Sequence, residues 1–198
     1  MRAVSCLPEG YREICSIDLQ KNKKTAVLVN GLALVIAALL AVPMCCIIPF
    51  STLYETESTL QGVGVKCGVM LAAVLAYMAL HELVHGAAMK LCGTKKVKYG
   101  FTGLYAFAGS EEYYGKKTYI FIALAPIVFW GVVLAVINLL VPTDWFWVVY
   151  FVQIANLSGA AGDLFVSVKF SRMPRDILVQ DYGVGMRVFS REAYKEIL

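Results

Sequence analysis

Long apolar segments dominate the pattern of this chain, and polar residues are concentrated in the stretches between them. Four segments reach the roughly 20 residues that a helix needs to cross a bilayer. They cover residues 25–50, 65–91, 118–141 and 145–168. The pattern therefore predicts an all-α integral membrane protein with about four transmembrane helices. It divides the chain into an N-terminal segment (1–24), a membrane domain (25–168) and a C-terminal tail (169–198).

A different periodicity marks the loop between the second and third apolar segments. Apolar or aromatic side chains fall there on alternate positions, which is typical of a β-strand or hairpin. These side chains are Val97, Tyr99, Phe101, Tyr105 and Phe107. Gly103 provides a turn between them, and aromatic residues suit a membrane interface. We therefore predict an interfacial β-hairpin in this second cytosolic-side loop, with an ordinary interfacial loop as the alternative.

Charged residues indicate the orientation of the four segments. Lysine and arginine flank the first segment on its N-terminal side and follow the second and fourth segments. The loops after the first and third segments carry no basic residue. The positive-inside rule then places both termini in the cytosol. Residues 1–24 have no apolar core typical of a cleaved signal peptide, so we expect the first span to direct insertion.

The composition agrees with a membrane protein. Hydrophobic residues make up 59% of the 198 residues and charged residues 16%, whereas soluble proteins carry about 25% charged residues. The net charge of +4 is explained by the basic flanks, so we expect a lipid bilayer and no nucleic acid as a partner. The six cysteines form no C-x-x-C pair and predict no disulfide framework.

The second apolar segment contains the sequence HELVH, which includes both histidines of the chain. On a helix His81 and His85 lie on one face, one turn apart, and both imidazoles can reach a single zinc ion. Glu82 lies close to that face and can accept a proton from a water molecule that zinc activates. Ionisable residues are costly inside a membrane and are usually functional there. The alternative interpretation is a packed polar cluster or a helix end facing water.

A catalytic zinc ion needs a third protein ligand, and we predict Asp163 for this role. It is the other carboxylate within the apolar segments, and it lies at the same predicted depth as the HELVH sequence. An aspartate paired with a lysine near the helix end is the alternative. Other candidate ligands lie outside the segments: Glu111, Glu112, Asp176, Asp181 and Cys92. Asn156, one or two turns from Asp163, is a candidate oxyanion or substrate contact, or simply a hydrogen-bonding group between helices.

The chain resembles a known family at these residues. HELVH in a span, a basic aromatic loop, Ala125-Pro126 in the third span, and Asn156 with Gly162-Asp163 in the last one resemble the bacterial zincin peptidases of the membrane. That family is in turn similar to the site-2 proteases, although here Leu164 follows the aspartate where glycine is usual. The resemblance implies a zinc metallopeptidase of the bacterial cell membrane. It implies one zinc ion bound by His81, His85 and Asp163, with Glu82 as the general base.

The function predicted from the sequence is hydrolysis of a peptide bond at or near the cytosolic side of the membrane. The substrate would be a membrane protein or peptide, and the sequence predicts no oligomeric state. The alternative is a non-catalytic membrane protein that binds zinc or a partner protein. Glu82 discriminates between them, because a purely structural zinc site has no need for a carboxylate beside its ligands.

Overall fold

Four stretches of helix are long and apolar enough to cross a membrane in the computed structural model, which describes residues 3–18, 21–55, 60–103 and 105–192. Helix α1 spans Lys23–Ile47, α3 spans Leu60–Leu91 and α4 spans Lys116–Leu140. The fourth stretch, Thr143–Ser171, begins with a short 3-10 turn. A single helical turn, α2, covers Thr52–Glu55. The predicted number of apolar helical stretches of membrane-spanning length is therefore confirmed.

The fourth apolar segment is not one continuous helix, which corrects the prediction. Helix α5 covers Phe146–Gly159 and α6 covers Ala161–Ser171. Ala160 separates them with a ψ of 17°. Glycine is a poor helix former, costing about 1 kcal/mol relative to alanine, and Gly159 adjoins this break. Asp163 consequently lies in the first turn of a new helix and not in the middle of a long one.

The described residues also form strands beyond the predicted hairpin, and these were not part of the predicted all-α fold. The strands are β1 (Arg12–Ile17), β2 (Lys98–Phe101), β3 (Ala106–Gly109), β4 (Tyr113–Gly115), β5 (Leu178–Asp181) and β6 (Met186–Ser190). Four of them form an antiparallel sheet in the order β1-β6-β5-β4. This sheet joins the N-terminal segment to the C-terminal tail.

The predicted hairpin is confirmed as β2 and β3. Lys98 pairs with Gly109 and Phe101 pairs with Ala106 in an antiparallel register. Gly103 has a φ of +89°, which glycine adopts without strain. The hairpin extends two residues beyond the predicted end at Phe107. Leu104 lies outside the described residues.

The chain divides into two compact units, and the first contains the strands that are named above. It comprises Met1–Leu28, Glu82–Pro126 and Gly162–Leu198. Its core is formed by buried side chains from the end of α3, the start of α4, α6 and the sheet. They include Met89, Ile122, Phe170, Val179 and Val188. The apolar face of the four-stranded sheet is thereby covered by helix side chains.

The second unit comprises Val29–His81 and Ile127–Ala161 and is helical among its described residues. Leu53 of α2 packs there with Phe146 and Trp147 at the start of α5. Lys66 is buried at the same end of the unit. Its ammonium group donates a hydrogen bond to the carbonyl oxygen of Leu53 (3.2 Å) and lies 3.6 Å from the carboxylate of Asp144.

Candidate metal centre

Helix α3 carries the whole HELVH sequence without interruption. His81 and His85 are one turn apart on this helix, and each is only 8% exposed. Residues four apart lie one above the other on a helix, so the two imidazoles project from the same face. The role of both histidines as zinc ligands stays a prediction.

Asp163 joins these histidines. Its Oδ1 lies 3.5 Å from Nε2 of His85. One ligand atom from each of His81, His85 and Asp163 lies within 4.8 Å of the other two. Two imidazoles and one carboxylate form the ligand set of several catalytic zinc sites. The residue types and their proximity therefore fit a zinc ion.

The other ring nitrogen of His85 is held by helix α4. Nδ1 lies 3.0 Å from the carbonyl oxygen of Ile122. A carbonyl oxygen can only accept a hydrogen bond, so Nδ1 carries the hydrogen and donates it. Nε2 is then the nitrogen whose lone pair can bind a metal, and it is also the nitrogen that faces Asp163.

The Nδ1 atom of His81 also has a hydrogen-bonding partner, which is a tyrosine. The hydroxyl oxygen of Tyr77 lies 2.7 Å from Nδ1 of His81. Tyr77 is one turn earlier on α3 and is buried. The two rings also meet edge to face, with centroids 5.7 Å apart. Both histidines therefore have a partner at Nδ1.

The side chain of Asn156 is engaged within the second unit. It is fully buried, its Oδ1 accepts a hydrogen bond from the Tyr77 hydroxyl (2.8 Å), and its Nδ2 donates to the carbonyl oxygen of Ile127 (3.2 Å). These contacts connect Asn156 to His81 through Tyr77. An oxyanion or substrate contact for Asn156 stays a prediction.

Glu82 is partly exposed on α3, and the hairpin approaches its carboxylate. The backbone N–H of Ala108, in β3, interacts with this carboxylate. Gly86, one turn later on α3, leaves room for the hydroxyl end of Tyr99, where a Cβ atom would collide with it. Strands β2 and β3 are thus held directly beside the HELVH sequence.

The alternative ligands are not part of the three-residue cluster, and most have other partners. Glu111 is paired with Lys98, whose hydrogen bond lowers the pKa of the glutamate. Glu112 accepts a hydrogen bond from the backbone of Lys95 (3.0 Å). Burial raises the pKa of the Cys92 thiol, which disfavours the thiolate that would bind zinc.

Asp181 lies closer to the three-residue cluster than its position in the C-terminal tail of the sequence indicated. Burial raises the pKa of its carboxylate, although hydrogen bonds from the Tyr119 hydroxyl (2.6 Å) and the Gly183 N–H (2.9 Å) oppose this rise. Its charge also interacts with His85 and Asp163. Asp181 is therefore a neighbour of the cluster, held by its own hydrogen bonds.

Sequence reasoning missed Tyr77 and Ile122, and it named Asp181 only as an alternative ligand. Tyr77 had a detectable signal, because it lies four residues before His81 and must share its face. Ile122 also had one, because it lies four residues before Pro126, which has no N–H to donate to the Ile122 carbonyl. The proximity of Asp181 to the histidines had no such local signal, since Asp181 lies in β5, which is positioned by non-local pairing with β4 and β6.

Comparisons with known proteins address the class of this protein, a largely helical chain in which two histidines and an aspartate lie close enough to hold a metal ion. Residues 74–178, more than half of the chain, match the family described as "Putative zincin peptidase". The chain therefore belongs to the putative zincin peptidase family, which indicates a zinc metallopeptidase in general terms. Similarity to the site-2 proteases stays an expectation.

A curated relative is 31% identical over an alignment of 119 residues, and the match covers 58% of this chain and 51% of the relative. It is the "Uncharacterized 24.7 kDa protein in gap 5'region" of Pyrococcus woesei. The match thus spans about half the length of this relative, and the name of the relative states no activity. No solved structure matches the chain.

Proposed function

We propose that the chain is a membrane-embedded zinc metallopeptidase that hydrolyses a peptide bond at or near the cytosolic side of the membrane. The observation that carries the proposal is the cluster of His81, His85 and Asp163, whose ligand atoms lie within 4.8 Å of one another. Glu82 directly follows the first of these ligands on the same helix. Family membership supports the same chemistry.

His81, His85 and Asp163 would hold one zinc ion. Bound there, zinc supplies a Lewis acid that polarises a carbonyl and makes water easier to deprotonate. The carboxylate of Glu82 accepts the proton from the attacking water and delivers it to the leaving amine. The Ala108 N–H beside this carboxylate limits its orientations and keeps it near the ligands.

The hairpin supports the presentation of an extended peptide. A peptidase must bind its substrate extended, because a helix engages its own carbonyl groups in hydrogen bonds. Among the described residues β3 pairs only with β2, and the N–H of Ala108 points from β3 towards Glu82. A substrate strand that adds to this edge by backbone hydrogen bonds would lie beside Glu82.

Location in a membrane is supported by the four apolar helices. Pairing of β1 with β6 supports termini on one side, and the basic flanks favour the cytosolic side. Reporter fusions in the Pro142–Asp144 loop and after Glu192 should then give opposite topology signals. Matching signals from the two fusions would contradict this part of the proposal.

Replacement of Glu82 by glutamine tests the catalytic function. Loss of a general acid–base group costs roughly 10²–10⁴-fold in rate, whereas Glu82 is not a ligand. Glu82→Gln should therefore lose proteolysis in reconstituted membranes and keep its zinc. Glu111→Gln, at an exposed glutamate paired with Lys98, should retain both. Full turnover in Glu82→Gln would show that this residue is not the base.

The second candidate function is a non-catalytic protein that binds zinc or a partner protein. The same three ligands favour it as far as metal binding is concerned. It differs in its expectation for Glu82, because a structural site does not use a proton acceptor. Zinc-loaded wild-type protein without zinc-dependent cleavage of any membrane-protein or peptide substrate would favour this second function.

A further inference from the structure

Tyr77 links a metal ligand to a buried amide. Its hydroxyl oxygen lies 2.7 Å from Nδ1 of His81 and 2.8 Å from Oδ1 of Asn156. We propose that Tyr77 and Asn156 are positioning residues that hold His81 in the tautomer and orientation needed to bind the metal through Nε2. This inference rests on the proposed function, because it concerns the same zinc site.

Hydrogen bonds connect His81 through Tyr77 and Asn156 to the Ile127 carbonyl, and we refer to them as the series. The direction of each bond follows from the last acceptor, the Ile127 carbonyl. The carbonyl oxygen of Ile127 can only accept, so the atom of Asn156 that faces it, 3.2 Å away, must be the amide nitrogen. Oδ1 of Asn156 therefore faces Tyr77. An amide oxygen can only accept as well, and consequently the Tyr77 hydroxyl donates its hydrogen to Asn156.

A tyrosine hydroxyl has one hydrogen, and here it is used on Asn156. Towards His81 the oxygen of Tyr77 can then only accept, so Nδ1 of His81 must be the donor. The hydrogen of a neutral imidazole is thereby placed on Nδ1, and the lone pair that can bind a metal is placed on Nε2. Asn156 acts on His81 through the direction in which Tyr77 donates.

Packing keeps the three groups in place. Tyr77 is 6% exposed and Asn156 is fully buried, so water does not readily replace either partner. The Tyr77 ring also contacts Trp130 edge to face, with centroids 6.2 Å apart. Because the ring of Tyr77 is fixed between Trp130 and His81, its hydroxyl presents one defined acceptor to Nδ1.

Buried hydrogen bonds of this kind also contribute to folding, so stability alone does not test the inference. The specific consequence is at the metal: loss of a group that orients a ligand typically weakens metal binding 10–100-fold. Replacement of Asn156 should also weaken metal binding, because the Tyr77 hydroxyl could then rotate and donate its hydrogen to Nδ1 of His81. The wrong tautomer, with its hydrogen on Nε2, would result.

The experiment compares purified full-length variants in detergent by competition of zinc with a chelator and by the visible absorption of bound Co²⁺. Tyr77→Phe and Asn156→Leu should each weaken zinc binding about 10–100-fold and change the Co²⁺ spectrum. The double variant should bind zinc no more weakly than the weaker-binding single variant, because both changes break the same series of hydrogen bonds. Tyr150→Phe is the matched control, because this buried tyrosine donates one hydrogen bond, to the Leu40 carbonyl.

Wild-type zinc affinity and an unchanged Co²⁺ spectrum in Tyr77→Phe would overturn the inference and leave the proposed function intact. Additive losses in the double variant would also overturn it. Absence of zinc binding by the wild-type protein would instead contradict the proposed function, and this inference with it. The two single variants break the series from different ends, so the test stands if one of them does not fold.

Discussion

Nδ1 of His85 lies 3.0 Å from the carbonyl oxygen of Ile122, and this carbonyl is available because of Pro126. In an α-helix the carbonyl of residue i accepts from the N–H of residue i+4, which for Ile122 is residue 126. Proline has no N–H, and Pro126 lies inside α4. The proline therefore leaves an acceptor in α4 that His85 uses.

Replacement of Pro126 tests this relationship. Pro126→Ala restores an N–H that competes for the Ile122 carbonyl and redirects it along the helix axis. We expect weaker zinc binding, by about tenfold or less because a carbonyl has two lone pairs and can accept twice. Titration of the metal-free protein with zinc in the presence of a chelator measures the change.

Pro43→Ala is the matched control for this replacement. Pro43 also lies inside a long apolar helix, α1, and the carbonyl four residues earlier belongs to Leu39, which is not near a predicted ligand in sequence. The control should bind zinc like the wild type. Equal zinc affinity in both proline variants would refute the orienting role of Pro126.

Local signals explain which parts of the fold were predictable. Apolar runs of more than 20 residues and the alternation around Gly103 are contained in short windows, and they gave the long helices and the hairpin. The four-stranded sheet was missed, because its strands are short and its register is non-local. Arg12 pairs with Ser190, and no pattern near either residue specifies this partner.

The three candidate ligands also differ in how far local sequence signals predict them. The spacing of His81 and His85 on one helix places them together, whereas Asp163 was selected as the remaining carboxylate of the apolar segments. Its contact with His85 depends on the packing of α6 in the first unit. The partner of His85 is the backbone carbonyl of Ile122. Pro126 marks this carbonyl in the sequence as one without its usual helical donor, but only the fold shows that His85 reaches it.

The turn of the hairpin provides a test of substrate presentation. The N–H of Thr102 donates to the carbonyl oxygen of Tyr105 (3.0 Å) and closes the turn. Thr102→Pro removes this donor and should disturb β3 beside Glu82. A displacement of about 1 Å near a reacting group can cost roughly 10²-fold in rate, so cleavage should fall steeply while zinc stays bound.

Thr102→Ser is the control for the turn, because it keeps the backbone donor and the side-chain hydroxyl that hydrogen-bonds with Tyr105. Its cleavage rate should remain close to that of the wild type. Zinc content and the unfolding temperature in detergent establish that both variants are folded. Unchanged cleavage by folded Thr102→Pro would argue against presentation of the substrate by the hairpin.

Asp176 should make the stability of the first unit depend on pH. Partial burial would raise the pKa of its carboxyl group, but hydrogen bonds from the backbone of Arg191 and the hydroxyl of Ser190 outweigh burial and lower it. A lowered pKa in the folded state stabilises the protein above the unfolded pKa of about 3.9. This contribution is lost as the pH falls through the folded pKa.

Asp176→Asn should therefore unfold at a lower temperature than the wild type at pH 7. The difference should shrink as the pH is lowered below about 3.9, because the wild-type carboxyl group then becomes protonated. Thermal unfolding of both proteins across this range measures it. A difference that is independent of pH would exclude the charge of Asp176 as its cause.

The zinc content of purified Asp163→Ala, compared with the wild type and with Asp181→Asn, tests the central claim most directly. Asp163 lies 3.5 Å from His85 in the ligand cluster, whereas Asp181 is a neighbouring acid held by Tyr119. We expect about one zinc ion per chain in the wild type and in Asp181→Asn, as a single catalytic site requires. Asp163→Ala should lose zinc and proteolysis together. Full zinc content in Asp163→Ala would contradict the assignment of the metal centre.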